Sequence, residues 1–157
     1  MVTTLLEALN NNNKSLRYHA VLGLGIIRRR VGELKDEEKI IDSIGNILLN
    51  TNAKDIDIRV AAVSALEEFK SQKSINTSIP YLRKALNIDL LSNIEYRDAV
   101  GKAAVESIAE LARTSNDALE LLKEIYRKHG NSYIKRLATG LLKKVLKERL
   151  QERLKTH

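Results

Sequence analysis

The chain contains no cysteine and no tryptophan, and it has one proline among its 157 residues. Without cysteine it can form neither a disulfide framework nor a thiolate metal site. One proline and seven glycines argue against a turn-rich β protein. The whole chain has 43% hydrophobic and 30% charged residues, which is the composition of a globular protein and not of a disordered tail.

Long apolar runs and a basic leader are also lacking. No apolar run approaches the ~20 residues that span a bilayer. The first seven residues include Glu7 and no basic side chain, which is unlike a signal peptide. We therefore expect a soluble cytoplasmic protein that makes no membrane contact.

One sequence pattern occurs four times along the chain. An apolar or aromatic residue precedes a basic residue, and small or apolar residues follow three, six and seven positions later. The basic residues are Arg17, Arg59, Arg97 and Lys135, which are separated by steps of 42, 38 and 38 residues. An Asx residue lies four positions before each of them: Asn13, Asp55, Asn93 and Asn131.

This pattern predicts four helices, each opened by its Asx residue. Asn and Asp are favoured N-caps because their side chains accept from the free amides of the first turn. The apolar positions that follow lie on one helix face. Each helix should be the second of a hairpin, with first helices at 2–9, 36–50, 75–87 and 116–129. Pro80 should kink the third of these first helices.

The string (Leu/Ile)-Arg-x-x-Ala-x-x-(Ala/Gly)-Leu, preceded by an Asx cap, resembles the second helix of a HEAT repeat. The resemblance covers essentially the whole chain, and the third copy departs from it at Tyr96 and Val100. It implies an all-α fold, a right-handed α-α superhelix of four HEAT-like hairpins with about eight helices. The repeats would span residues 1–32, 33–72, 73–113 and 114–157. An armadillo-like or other α-α solenoid is the alternative.

The resemblance also gives a role to the basic residues Arg17, Arg59, Arg97 and Lys135. In HEAT solenoids such a ladder pairs with the Asx residues of neighbouring repeats and holds their register. A row of cations that binds an anionic ligand is the other interpretation.

Catalytic and metal-binding constellations are not found. The histidines His19, His129 and His157 are scattered, and none has the spacing of metal ligands on one helix face. Gly23-x-Gly25 follows a helical pattern and not a strand, so close helix packing accounts for it better than a phosphate loop. We expect no enzyme, no metal and no cofactor.

Two short charge runs have local explanations. Asp36, Glu37 and Glu38 should open a helix at its positive end, and Arg28, Arg29 and Arg30 should close one at its negative end. Neither run requires a ligand.

The excess positive charge lies at the C-terminus. From Asn131 onward eight basic residues face two acidic ones, so this segment carries +6 of the chain's net +7. The pattern of residues 131–155 is helical, and a helix of that span is roughly 37 Å long. Its last two turns should project beyond the repeat stack.

Three interpretations of this helix stay open. It is a solvated polar cap on the last repeat, or a phosphate-binding stripe of Arg136, Lys143, Lys144 and Lys147, or a partner helix. For the third, the leucines recur every four residues, and Leu150 and Leu154 would lie past the core and form a contact, such as a homodimer.

The sequence therefore predicts a non-enzymatic scaffold that presents a concave helical surface to a protein partner. The alternative is a nucleic-acid-binding protein that uses the basic C-terminal helix 131–155.

Overall fold

The computed structural model describes residues 1–51, 55–88 and 98–156, and within these ranges the chain forms helices and no strand. Asn93, Tyr96, Arg97 and His157 lie outside the described residues. The helices are α1 (Val2–Ala8), α2 (Lys14–Val31), α3 (Glu37–Asn50), α4 (Ile56–Glu67), α5 (Gln72–Ala85), α6 (Ala99–Ala112), α7 (Asn116–Lys128) and α8 (Ser132–Lys155). The predicted all-α class is confirmed.

The helices pack in two layers. Consecutive helices contact each other in pairs, α1 with α2, α3 with α4, α5 with α6, and α7 with α8. The odd-numbered helices form the first layer, in which α3 contacts α5 and α5 contacts α7. The even-numbered helices form the second layer and contact one another in order from α2 to α8. The hydrophobic core is continuous through the stack, because each helix carries an apolar stripe that its neighbours cover.

Side-chain caps open four of these helices. The side chains of Asn13 and Asn131 each accept two first-turn amides of α2 and α8, as predicted. The hydroxyls of Ser71 and Ser115 each accept one first-turn amide, of α5 and α7 respectively. The predicted start of α5 at residue 75 is wrong by three residues, because its apolar stripe begins one turn after the cap.

Three aspartates stand at N-cap positions without capping. Asp36 precedes α3, Asp55 precedes α4 and Asp98 precedes α6, and none of their side chains accepts a first-turn amide. The Asp55 carboxylate lies 2.8 Å from the Lys14 ammonium instead. The predicted side-chain cap is therefore wrong at Asp55.

The buried residues of α4, α6 and α8 recur with helical spacing. In α4, α6 and α8 a buried stripe has the same spacing of four, four and three residues, and its last member at α4 lies two residues past the end of the helix. Its members are Ile58, Ala62, Leu66 and Phe69; Val100, Ala104, Ile108 and Leu111; and Ile134, Ala138, Leu142 and Val145. Residue 96, the first stripe position predicted in the third copy, lies outside the described residues. The following predicted positions, Val100 and Ala104, are buried.

Glycines allow close approach between helices, as predicted for Gly23 and Gly25. A Cβ on Gly25 would lie 3.1 Å from the Ala65 Cα, and one on Gly23 would lie 3.2 Å from the Leu5 side chain. At the start of α2, Leu16 is 48% exposed, whereas Ala20 and Leu24 further along this helix are buried.

Candidate functional site

The last helix is longer than its siblings. α8 has 24 residues, whereas α4 has 12 and α6 has 14. Its buried residues end at Val145, and all residues from Leu150 to Thr156 are exposed. This agrees with the predicted projection of the final two turns.

Polar contacts fix the point where α8 leaves the stack. The Arg149 guanidinium donates to the Ala112 carbonyl at 2.8 Å and to the Asn116 side chain at 2.9 Å. One residue earlier, the Glu148 carboxylate lies 2.9 Å from Arg113. Arg149 thus ties α8 to the end of α6 and the start of α7.

The predicted phosphate contacts are exposed. Arg136, Lys143, Lys144 and Lys147 all lie on the surface of α8, and none forms an ion pair with another described residue. At about 100° per residue, three of them share a face and Lys144 lies beside it. The structure therefore places all four where an anionic ligand has access.

The outward side of α8 differs chemically from the same side of α6. In the predicted register of 38 residues, the buried residues Val105 and Ala109 of α6 correspond to Lys143 and Lys147 of α8, which are exposed. Among the described helices, α8 packs on α6 and α7. This replacement suits a solvated end of a helix stack.

Leucines continue along α8 past the last buried turn. Leu142 is 8% exposed, and Leu146, Leu150 and Leu154 are 44%, 58% and 70% exposed. The predicted partner contacts Leu150 and Leu154 are therefore on the surface, and the stripe emerges gradually from the core.

The basic ladder makes contacts other than those expected from the resemblance. Arg17 donates to the Asn11 carbonyl at 2.9 Å, and Arg59 donates to the Thr51 carbonyl. Both bonds tie a helix, α2 or α4, to the segment that precedes it. Lys135, the fourth member, is exposed. The predicted pairing of Arg17 with the Asx residue of the next repeat is wrong.

Other residues supply contacts between neighbouring helix pairs. Lys14 is the cation on Asp55, at 2.8 Å, and this hydrogen bond raises the pKa of the Lys14 ammonium. The Asn131 amide donates to Asp98 at 2.6 Å. Asp55 and Asn131 thus do link neighbouring helix pairs, and the cation on Asp55 is Lys14.

The surface of α2 and α4 holds a small hollow of ≈ 140 Å³ between the two helices. Leu22 and Ile26 form its apolar side, and Glu68 and Arg29 stand at its edge. Ile26 is 40% exposed. We call the exposed side of α2, α4 and α6 that includes this hollow the second-helix surface.

Acidic side chains follow the hollow along this surface. Burial raises the pKa of the Glu67 carboxyl, and the neighbouring Glu110 raises it further. Ser107 lies 3.5 Å from Glu67. Lys70 and Glu110 are 3.8 Å apart and largely exposed, so their attraction is weak in water.

The first layer contains a groove that the sequence did not reveal. It lies between α5 and α7, has a volume of ≈ 630 Å³, and is lined by both apolar and charged side chains, among them Ile79, Pro80 and Leu121. Arg83 and Glu124 bridge it at 2.7 Å. Pro80 lies within α5 as predicted, and because it has no N–H, the Asn76 carbonyl on the groove wall lacks its helical donor.

The two charge runs are also connected to each other. Arg28 forms an ion pair with Glu37, and both side chains are nearly buried. Glu37 further accepts from the Leu34 amide at 2.8 Å and the Ser74 hydroxyl at 2.6 Å. The predicted role of these runs at helix ends is therefore incomplete, since Arg28 and Glu37 join the first three hairpins.

Metal ligands and membrane spans are not found among the described residues. No group of three or more histidine, aspartate or glutamate side chains there is placed to hold a metal ion. In the same ranges no helix is both long and apolar enough to cross a bilayer. His19 is exposed and packs edge-on against Tyr18.

No protein-family model matches the chain, and no curated protein is similar enough to it to count as a match.

Proposed function

We propose that the protein is a non-enzymatic binding scaffold that presents its second-helix surface to a protein partner. The two-layer packing of four hairpins and the Asn caps of α2 and α8 support a HEAT-like right-handed superhelix, with the second helices on its concave side. The lack of cysteine is the reason for placing it in the cytoplasm.

The hollow beside Ile26 carries this proposal. Protein interfaces are anchored by apolar side chains that fill small pockets, surrounded by polar groups. The hollow between α2 and α4 has an apolar wall, and the Glu68 carboxylate lines it, 3.8 Å from Arg29. Glu67, on the same surface, lies near Ser107. This combination fits an apolar side chain of a partner that carries basic residues next to it.

Comparative capture tests this proposal. A partner retained from native cell extract by the wild-type chain should be lost with Ile26→Glu, because a carboxylate cannot be desolvated in the hollow. Val31→Glu is the matched control, since Val31 is on the same helix, is 70% exposed and lies outside the hollow. Retention of the same proteins by both variants would refute the role of the hollow.

The second candidate function, binding of nucleic acid, is favoured by the unpaired cations of α8. Neutralising several phosphates releases condensed counterions, so such binding weakens steeply as salt increases. The scarcity of aromatic side chains argues against binding of single strands by stacking.

Titration with duplex DNA and RNA at two salt concentrations separates the two functions. If nucleic acid is bound, Lys143→Glu/Lys147→Glu should abolish binding and leave the helical circular dichroism unchanged. No binding at ~50 mM salt, where the electrostatic attraction is strong, would eliminate this candidate.

A further inference from the structure

The end of α8 has two chemically different sides. One side carries Leu146, Leu150 and Leu154, with the cations Lys143, Lys147 and Arg153 beside them; we call these six residues the outer face. All six are exposed. At about 100° per residue they fall within roughly one third of the helix circumference.

The acidic residues of this segment lie on the other side. Glu148 and Glu152 line a cleft of ≈ 520 Å³ between α8 and the ends of α4 and α6, together with Lys70 and Arg113. The leucines and the cations of the outer face do not line that cleft. The outer face therefore combines apolar and basic side chains and contains no acid.

The leucine spacing of the outer face is that of a packing ridge. Residues four apart form the ridges that fit between the ridges of a second helix, which then crosses at about −50°. A ridge of three exposed leucines gains nothing from phosphate groups, which bind cations alone. It fits a helix with an apolar stripe.

The flanking charges define that helix further. Cations on both sides of the ridge attract carboxylates on both sides of the partner's stripe. We infer that the outer face binds an amphipathic helix whose apolar stripe is flanked by aspartate or glutamate. This site is separate from the second-helix surface, so it does not depend on the proposed function.

A second copy of this chain is a poor occupant of the same face. In an antiparallel pair centred on Leu150, Lys147 would lie opposite Arg153 of the other copy. In a parallel pair each lysine would oppose its own equivalent. Like charges at such distances oppose association, so the homodimer predicted from the leucines is disfavoured.

The test uses the full chain and a synthetic peptide. The peptide has about 20 residues, because shorter helices are marginal in water, and carries leucine every fourth residue with glutamate on both flanks. Fluorescence anisotropy should detect binding by the wild-type chain. Leu150→Gln/Leu154→Gln and Lys147→Glu/Arg153→Glu should each weaken it at least about tenfold.

Matched controls separate the site from general effects. Val31→Gln exchanges an exposed apolar residue on α2, and Lys39→Glu/Lys84→Glu applies the same kind of charge reversal on α3 and α5. Both should keep wild-type affinity for the peptide. Circular dichroism should show intact helices in every variant, since the altered residues are exposed.

Four outcomes would overturn the inference. They are no peptide binding, equal binding of a peptide with lysine in place of glutamate, equal loss in the control variants, and a concentration-dependent doubling of mass that Leu150→Gln/Leu154→Gln removes. Leucine-dependent binding to vesicles of anionic lipid, without binding to the peptide, would likewise assign the outer face to a membrane surface.

Discussion

The first layer contains two junctions of very different character. Between α3 and α5 the contact is close: Glu37 accepts from Ser74, Tyr81 donates to Asp42 at 2.8 Å, and Gly45 faces the Tyr81 ring. Between α5 and α7 lies the groove of ≈ 630 Å³, bridged by surface contacts such as that of Arg83 with Glu124.

The difference shows that one helix can form a tight and a loose junction at once. At the α3–α5 junction Gly45 has no side chain, so the helix axes approach. Glu37, which is paired with Arg28 of α2, accepts from Ser74 of α5 and keeps the buried polar groups satisfied. The α5–α7 junction has charged side chains on its walls, which stay hydrated. Substitutions at the two junctions should therefore differ in cost.

The largest effect is expected at Glu37. Glu37→Ala removes the carboxylate beside Arg28, whose side chain is 12% exposed, and an uncompensated cation in this position costs about 3 to 5 kcal/mol of unfolding free energy. Urea denaturation measures the loss. Arg28→Met/Glu37→Leu should recover most of it, because no charge then remains buried.

Glu38 provides the control for that substitution. It is the next residue, it is 49% exposed, and it lies 3.4 Å from Lys73. Glu38→Ala should cost less than about 1 kcal/mol. Equal losses for the two alanine variants would mean that the ion pair of Arg28 and Glu37 adds nothing to the tight junction.

A smaller effect is expected from a methyl group at Gly45. A Cβ there would overlap the Tyr81 ring, and overpacking of this kind costs about 1 to 3 kcal/mol. Gly140→Ala is the matched control, since nothing lies within 4 Å of its added Cβ, and alanine in a helix should gain up to about 1 kcal/mol. Thermal unfolding of both variants compares them; a gain for Gly45→Ala would contradict the close contact.

Much of the fold is predictable from local signals in the sequence. Asn13 and Asn131 cap their helices as predicted because an N-cap acts through the next three residues of the same chain. Val100 and Ala104 are buried as their spacing predicts. The burial of further faces of α6 was not predictable, because it depends on α4 and α8, whose residues lie far away in sequence.

The features of the candidate sites also differ in how far the sequence predicts them. Arg136, Lys143 and Lys147 are exposed because they lie on the same face of one helix, and helical periodicity predicts that face. The bond between Arg17 and the Asn11 carbonyl depends on the path of a loop, and the groove beside Pro80 depends on the spacing of two helices. A single sequence predicts neither the bond nor the groove. The acidic and basic residues of α5 and α7 could, however, have indicated that the facing sides of these helices are hydrated.

The smallest effect is expected at the loose junction. Arg83 donates to both Glu124 oxygens at 2.7 Å, and this hydrogen bond lowers the pKa of the Glu124 carboxyl from its usual 4.5. A lowered pKa stabilises the folded state above 4.5, and this contribution is lost as the pH falls through the folded-state pKa.

Arg83→Gln tests how little this bridge contributes. Both partners are close to half exposed, so the loss at about pH 7 should stay below about 0.5 kcal/mol. At about pH 2, where the carboxylate is protonated, the variant and the wild type should unfold alike. Urea denaturation at the two pH values gives the comparison. If Arg83→Gln costs as much as Glu37→Ala, the α5–α7 bridge is as important as the buried pair, and the distinction between a tight and a loose junction fails.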